Sequence, residues 1–135
     1  MNSTNGSPSF KVVRSDKFER TTKVLKKDYK GQRSQQAFVA CVSGIITTLT
    51  RNPRPEKSRL EPIPHGVTIP EHWEFRKLVF LMPERSGASG EGRMMYAVDL
   101  NSSIISLLWI YTHEEFAGRP SDGDLRQLLR DVVDD

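Results

Sequence analysis

The run Ile104-Ile105-Ser106-Leu107-Leu108-Trp109-Ile110-Tyr111 constrains the fold more than any other stretch of this chain. It is almost wholly apolar and rich in β-branched and aromatic residues, which reads as a strand with no polar face to show. Such a strand belongs in the middle of a sheet with a layer covering it. The segment before it, Arg93 to Leu100, reads as a second strand, and Asn101-Ser102-Ser103 as the hairpin turn between them. Upstream, Trp73 to Met82 is a third strand, joined to Arg93 by the loose glycine- and serine-rich loop PERSGASGEG. Three consecutive strands then carry Arg76 and Arg93 on neighbours.

The flanking segments supply the cover. Phe10 to Val13 fits a first strand, and pairing beside the last one makes Ile104 to Ile110 central. Ser15 fits an N-cap with Asp16 in the first turn, and Phe18, Leu25 and Tyr29 form one stripe of a helix ending near Gly31. A second helix is expected from Ser34 to Thr50, with Phe38, Cys41, Val42, Ile45 and Leu49 on its apolar face. That stripe predicts a buried, unreactive Cys41 thiol. Asn52-Pro53-Arg54-Pro55 ends the helix, and a proline-rich crossing loop runs to Pro70, tied to the core by Leu60 and Ile63. Ser121 with Asp124 resembles a capping box, opening a last helix on Leu125, Leu128, Leu129, Val132 and Val133. The expected class is α+β: two N-terminal helices packed on a small, mostly antiparallel sheet, plus a short C-terminal helix. Residues 1–9 read as a disordered tail and 10–135 as a single domain.

At 135 residues the chain can bury one real core. No apolar run approaches a membrane span, and the N-terminus MNSTNGSPSF has neither the basic start nor the apolar centre of a secretory signal. A single cysteine offers no disulfide scaffold and no cysteine-based metal site, which suits a reducing cytoplasm. His65 and His72 stand in or beside the crossing loop without compact ligand spacing, so neither a metal nor a cofactor is expected. Residues 1–113 hold 17 Lys and Arg against 10 Asp and Glu, and residues 114–135 hold 3 against 7. A basic body with an acidic end admits a polyanion such as nucleic acid, or an acidic protein. Lys17, Lys23, Lys26 and Lys27 around the first helix read as a solvated surface.

Three segments carry a family resemblance: Trp73-Glu74-Phe75-Arg76, Gly92-Arg93-Met94-Met95-Tyr96-Ala97-Val98-Asp99, and Leu107 to His113. Here the chain resembles the RelE/ParE-like toxins of bacterial type II toxin–antitoxin systems, over about residues 10 to 120. The resemblance implies a ribosome-dependent mRNA endoribonuclease (an mRNA interferase), neutralised by a cognate antitoxin. A branch of the family poisons DNA gyrase instead, so the alternative is a non-enzymatic protein-binding member of the same fold, a gyrase inhibitor or a degenerate toxin. Carried over residue by residue, Arg76 and Arg93 are the strand arginines, and Tyr96 is the aromatic after the second. Tyr111-Thr112-His113-Glu114-Glu115-Phe116 is similar to the Thr-His-x-x-x-Phe ending of one nuclease branch, one residue shorter. By that resemblance His113, Arg76 and Arg93 are catalytic, and Tyr111, Phe116, Tyr96 and Lys77 contact the substrate. The chain departs from active members in lacking further histidines and a dense basic C-terminus.

The residue types suit the chemistry. Metal-independent RNA cleavage needs a base for the 2′-hydroxyl proton, cationic donors on the phosphorane-like oxygens, and an acid for the leaving 5′-oxygen. Guanidinium groups offer forked donors to phosphate, and an imidazole carries protons near neutrality. The alternative for each arginine is a strand-surface residue answering Glu74 or Asp99, and for His113 a local hydrogen bond. Glu114 and Glu115 either orient His113 or face water. Trp73 is expected to pin the crossing loop. Trp109, Tyr111 and His113 share one face if the strand is regular.

Overall fold

The computed structural model describes residues 9–133, so the tail expected at residues 1–9 lies outside the described residues except for Ser9. Five strands form one sheet in the order β1-β5-β4-β3-β2: β1 Lys11–Arg14, β2 Ser58–Leu60, β3 Trp73–Leu81, β4 Glu91–Asp99 and β5 Ile104–Thr112. β1 runs parallel to β5, and every other pairing is antiparallel. Helices α1 (Asp16–Lys27) and α2 (Gln32–Arg51) cover one face, and α3 (Asp122–Val133) covers part of the other. This is the α+β class that the sequence predicts, with β5 inside the sheet.

Local chemistry fixes the helix starts. Ser15 caps α1, its Oγ accepting from Phe18 N–H at 3.0 Å. Ser121 caps α3, its Oγ accepting from Asp124 N–H at 3.3 Å. Phe18, Leu25, Phe38, Val42, Ile46 and Leu49 are buried on the α1/α2 side, whereas Cys41 and Ile45 are only half-buried at the edge of that stripe. Cys41 borders a cavity of about 770 Å³ between α2 and the edge of β3, and burial still pushes its thiol pKa up.

The apolar run of β5 is explained by two covered faces and a bulge. Met95 pairs with Trp109 but Tyr96 pairs with Leu107, so Leu108 is the extra residue. Ile105, Leu107 and Ile110 pack under α1 and α2, and Leu108, Trp109 and Tyr111 pack under α3. The slip changes which residues share a face partway along the strand.

Two expectations about the crossing loop are corrected. Leu60 and Ile63 do not tie it down, being 62% and 38% exposed. Val67, Ile69 and Trp73 pack into the α3-side core instead. The loop also hides a strand, β2, which pairs with Arg76 to Leu78 of β3. Among the described residues, no helix is long and apolar enough to cross a membrane.

Candidate functional site

Strand alternation divides the sequence-predicted residues between the two faces. On β4, Met95 marks the α3 side and Tyr96 the α1/α2 side, so Arg93 faces α3. On β3, Phe75 marks the α3 side and Leu78 the other, so Lys77 faces α3 and Arg76 faces away. Arg76 and Arg93 do lie on neighbouring strands, but they point to opposite sides of the sheet, so the two cannot meet one phosphate as the catalytic reading of Arg76 requires.

Arg76 is 9% exposed and fully engaged. Its Nε donates to Ser58 Oγ at 2.9 Å and its Nη1 to Glu74 Oε1 at 3.0 Å. Ser58 Oγ meets Tyr96 Oη at 2.6 Å, and Tyr96 donates in turn to the Pro53 carbonyl at 2.7 Å. Arg54 grips the same Glu74, and that hydrogen bond, reinforced by Arg76, holds the Glu74 carboxyl below its usual range. This polar chain joins the end of α2 to β2, β3 and β4. Tyr96, expected at the substrate, belongs to it and is fully buried.

The α3-facing side carries a different set. Arg93 lies directly across from Tyr111, and Gly92 across from Thr112. His113 follows the last residue of β5, its N–H donating to the Glu91 carbonyl at 3.1 Å, which keeps it in line with Tyr111 and Arg93. Arg93 uses Nη2 to hold Glu91 Oε1 at 3.0 Å. Its Nη1 and the Nδ1 of His113 are buried and have no hydrogen-bond partner among the described residues. Two buried, unsatisfied polar atoms on one face are costly unless a ligand or water completes them.

Around this pair the crossing loop and the α3 connector add groups that the sequence did not single out. Glu61 lies 3.4 Å from Lys77 Nζ and 3.4 Å from Arg119 Nη1. Arg119 also donates to the Pro62 carbonyl at 2.7 Å and to Asp122 at 3.1 Å. Phe116 stands edge-on over Tyr111 and Trp109, with ring centroids 5.5 and 6.0 Å apart. It lids the aromatic floor. Glu115 closes the turn by bonding Thr112, and Glu114 is exposed, so neither orients the His113 ring. No periodicity marks Glu61 or Arg119, because both arrive from irregular segments.

Tyr111 keeps its proton. Burial, helped by the Glu61 carboxylate, pushes its pKa up to about 12, against the opposing pull of Arg93 and Arg119. It is a donor here, and its hydroxyl points to the Gly118 carbonyl at 3.5 Å. Tyr29 and Tyr96 are raised as well, chiefly by burial, so all three tyrosines titrate above the ordinary value of 10. A raised folded-state pKa contributes stability that is present below pH 10 and fades as pH climbs from 10 toward 12. Alkaline titration should show tyrosinate absorbance rising late and together with unfolding. Tyrosinate appearing near pH 10 in folded protein would contradict the burial of these hydroxyls.

Among the described residues, no group of three or more His, Cys, Asp and Glu side chains is placed to hold a metal ion. No family model matches the chain, and no curated protein matches it. The chain is similar to a chain of the crystal structure of the archaeal RelE–RelB complex from Pyrococcus horikoshii OT3, at 13% identity and a TM-score of 0.49, covering 83% of this chain and 99% of that one. It is also similar to a double arginine-to-alanine mutant of E. coli toxin RelE in the free state, at 11% identity and a TM-score of 0.48, covering 88% and 95%.

Proposed function

We propose that the chain is the toxin of a type II toxin–antitoxin system, a cytoplasmic, ribosome-dependent mRNA endoribonuclease neutralised by a cognate antitoxin. The observation that carries this reading is the adjacency of Arg93 and His113, each with a buried, unpartnered nitrogen on the same face. A phosphodiester entering there would take the free Nη1 of Arg93 on a non-bridging oxygen, with Lys77 adding charge nearby. His113 would protonate the leaving 5′-oxygen, and the Glu61 carboxylate is the neighbouring group able to accept the 2′-hydroxyl proton. Tyr111, protonated at neutral pH, donates rather than accepts. No step in this scheme calls on a metal.

A second reading draws on a specific observation. Phe116 and α3 lie over the Tyr111 side of the site, which suits a protein-binding member that acts without chemistry, on DNA gyrase for example. Induced expression decides between them, comparing the intact chain with Arg93→Ala and His113→Ala while cuts are mapped on cellular mRNA. Growth arrest with ribosome-dependent cuts that both substitutions abolish is the expected result. Arrest without cuts selects the protein target, and no arrest from folded protein removes the toxin reading.

A further inference from the structure

Tyr111 and His113 share the face of Arg93 only because β5 carries one residue more than its partner. Tyr96 pairs with Leu107, and a regular strand from there would set Arg93 opposite Ile110 and Glu91 opposite Thr112. Tyr111 and His113 would then turn to the α1/α2 side. The bulge at Leu108 instead puts Arg93 opposite Tyr111. Hydrophobicity does not choose between the two arrangements. Every residue from Leu107 to Tyr111 is apolar or aromatic and buried, so either alternation lines both faces with such side chains.

The polar contacts do choose. β1 ends at Arg14, opposite Leu107, so beyond that point the outer edge of β5 has no strand beside it. The start of α1 stands there instead. The Leu107 carbonyl accepts the Ser15 N–H at 3.1 Å, so in a regular strand the next carbonyl, that of Leu108, would turn inward to β4. It turns outward, and Ser15 Oγ donates to it at 3.2 Å while accepting from Phe18 N–H as the helix cap. Beyond the bulge, Thr21 Oγ1 accepts the Ile110 N–H at 3.2 Å and donates to the Lys17 carbonyl at 3.0 Å. The two hydroxyls thus grip β5 at its extra residue and just past it. We propose that Ser15 and Thr21 are positioning residues for the site, their hydroxyls pinning the bulge and so holding Tyr111 and His113 on the face of Arg93. The consequence for cleavage rests on the nuclease reading, whereas the register does not.

The test uses the full chain and takes two readings: the β4–β5 register from cross-strand NMR contacts, and single-turnover cleavage on programmed ribosomes per folded molecule. Ser15→Asp keeps a good helix cap but presents a carboxylate, which cannot donate to the Leu108 carbonyl. Thr21→Ala removes the acceptor for the Ile110 N–H and favours the helix, so α1 is retained. Ser15→Thr keeps a hydroxyl that both caps and donates. The first two variants should each show a slipped set of β5 signals in which Arg93 contacts Ile110 in place of Tyr111. Each should also lose about tenfold or more in cleavage, since displacing a reacting group by about 1 Å costs up to about 100-fold. Ser15→Thr should match the parent in both readings. A merely stabilising role lowers the denaturant midpoint but leaves Arg93 opposite Tyr111 and the cleavage rate intact, and that outcome would overturn the proposal. So would a fall in cleavage with the register unchanged, or a slipped register that still cleaves as the parent does. If the parent itself cuts no RNA, the register in Ser15→Asp and Thr21→Ala still decides whether the hydroxyls pin the bulge, so failure of the nuclease reading stands apart from failure here.

Discussion

Arg93→Lys should lower single-turnover cleavage of mRNA on programmed ribosomes by about 100-fold or more, nearly as far as Arg93→Ala. Under the proposed function, Arg93 would serve two partners at once. Nη2 is committed to Glu91 at 3.0 Å, and Nη1 is left buried and open. A lysine ammonium is one point charge and cannot hold Glu91 while reaching a phosphate oxygen from a second, fixed direction. His113→Gln, which keeps a hydrogen-bonding side chain but no titrating proton, should cost about 10²- to 10⁴-fold for a general acid. Both variants should unfold at nearly the parent denaturant midpoint, because a lysine can keep the partly exposed Glu91 pair and His113 Nδ1 has no partner among the described residues to lose. Full cleavage by Arg93→Lys would mean that simple charge suffices, and the forked geometry would drop out of the mechanism.

The parts of this molecule that could be read from its residues are those that local chemistry decides. Ser15 and Ser121 cap helices wherever the rest of the chain goes, and an apolar run such as Ile104 to Tyr111 must be covered on both sides. Which residues share a face is another matter. The ten-residue loop PERSGASGEG leaves the register of β3 against β4 free, and a slip of one residue would have turned Arg76 to the face that carries Arg93. The bulge at Leu108 is just as silent, since alternation has nothing to show in a strand that is apolar at almost every position. β2 is held by main-chain pairing, with two of its three residues exposed, so no pattern announces it. Glu61 and Arg119 reach the site because β2 and the α3 connector carry them there. Their roles are visible only in three dimensions.

Arg76→Ala should cost about 3 to 5 kcal/mol of folding stability, the range for removing one partner of a buried ion pair. The side chain is 10% exposed and Glu74 15%, so solvent screening is slight and the lost partner is not replaced by water at full strength. Ser58 Oγ would lose its donor at 2.9 Å, and the relay through Tyr96 to Pro53 would lose its anchor. Arg54, on the solvent side, still pairs with Glu74, which keeps the loss toward the lower end of that range. Arg76→Met fills most of the volume without a charge and should recover part of the stability. Its cleavage rate per folded molecule should equal the parent's, because Arg76 faces the α1/α2 layer and not the Arg93–His113 side. Denaturant unfolding and single-turnover cleavage, run on the same preparations, separate the two roles. An Arg76→Met protein that is folded yet as inactive as Arg93→Ala would return Arg76 to the chemistry, and would require β3 to present it to the other face when RNA binds.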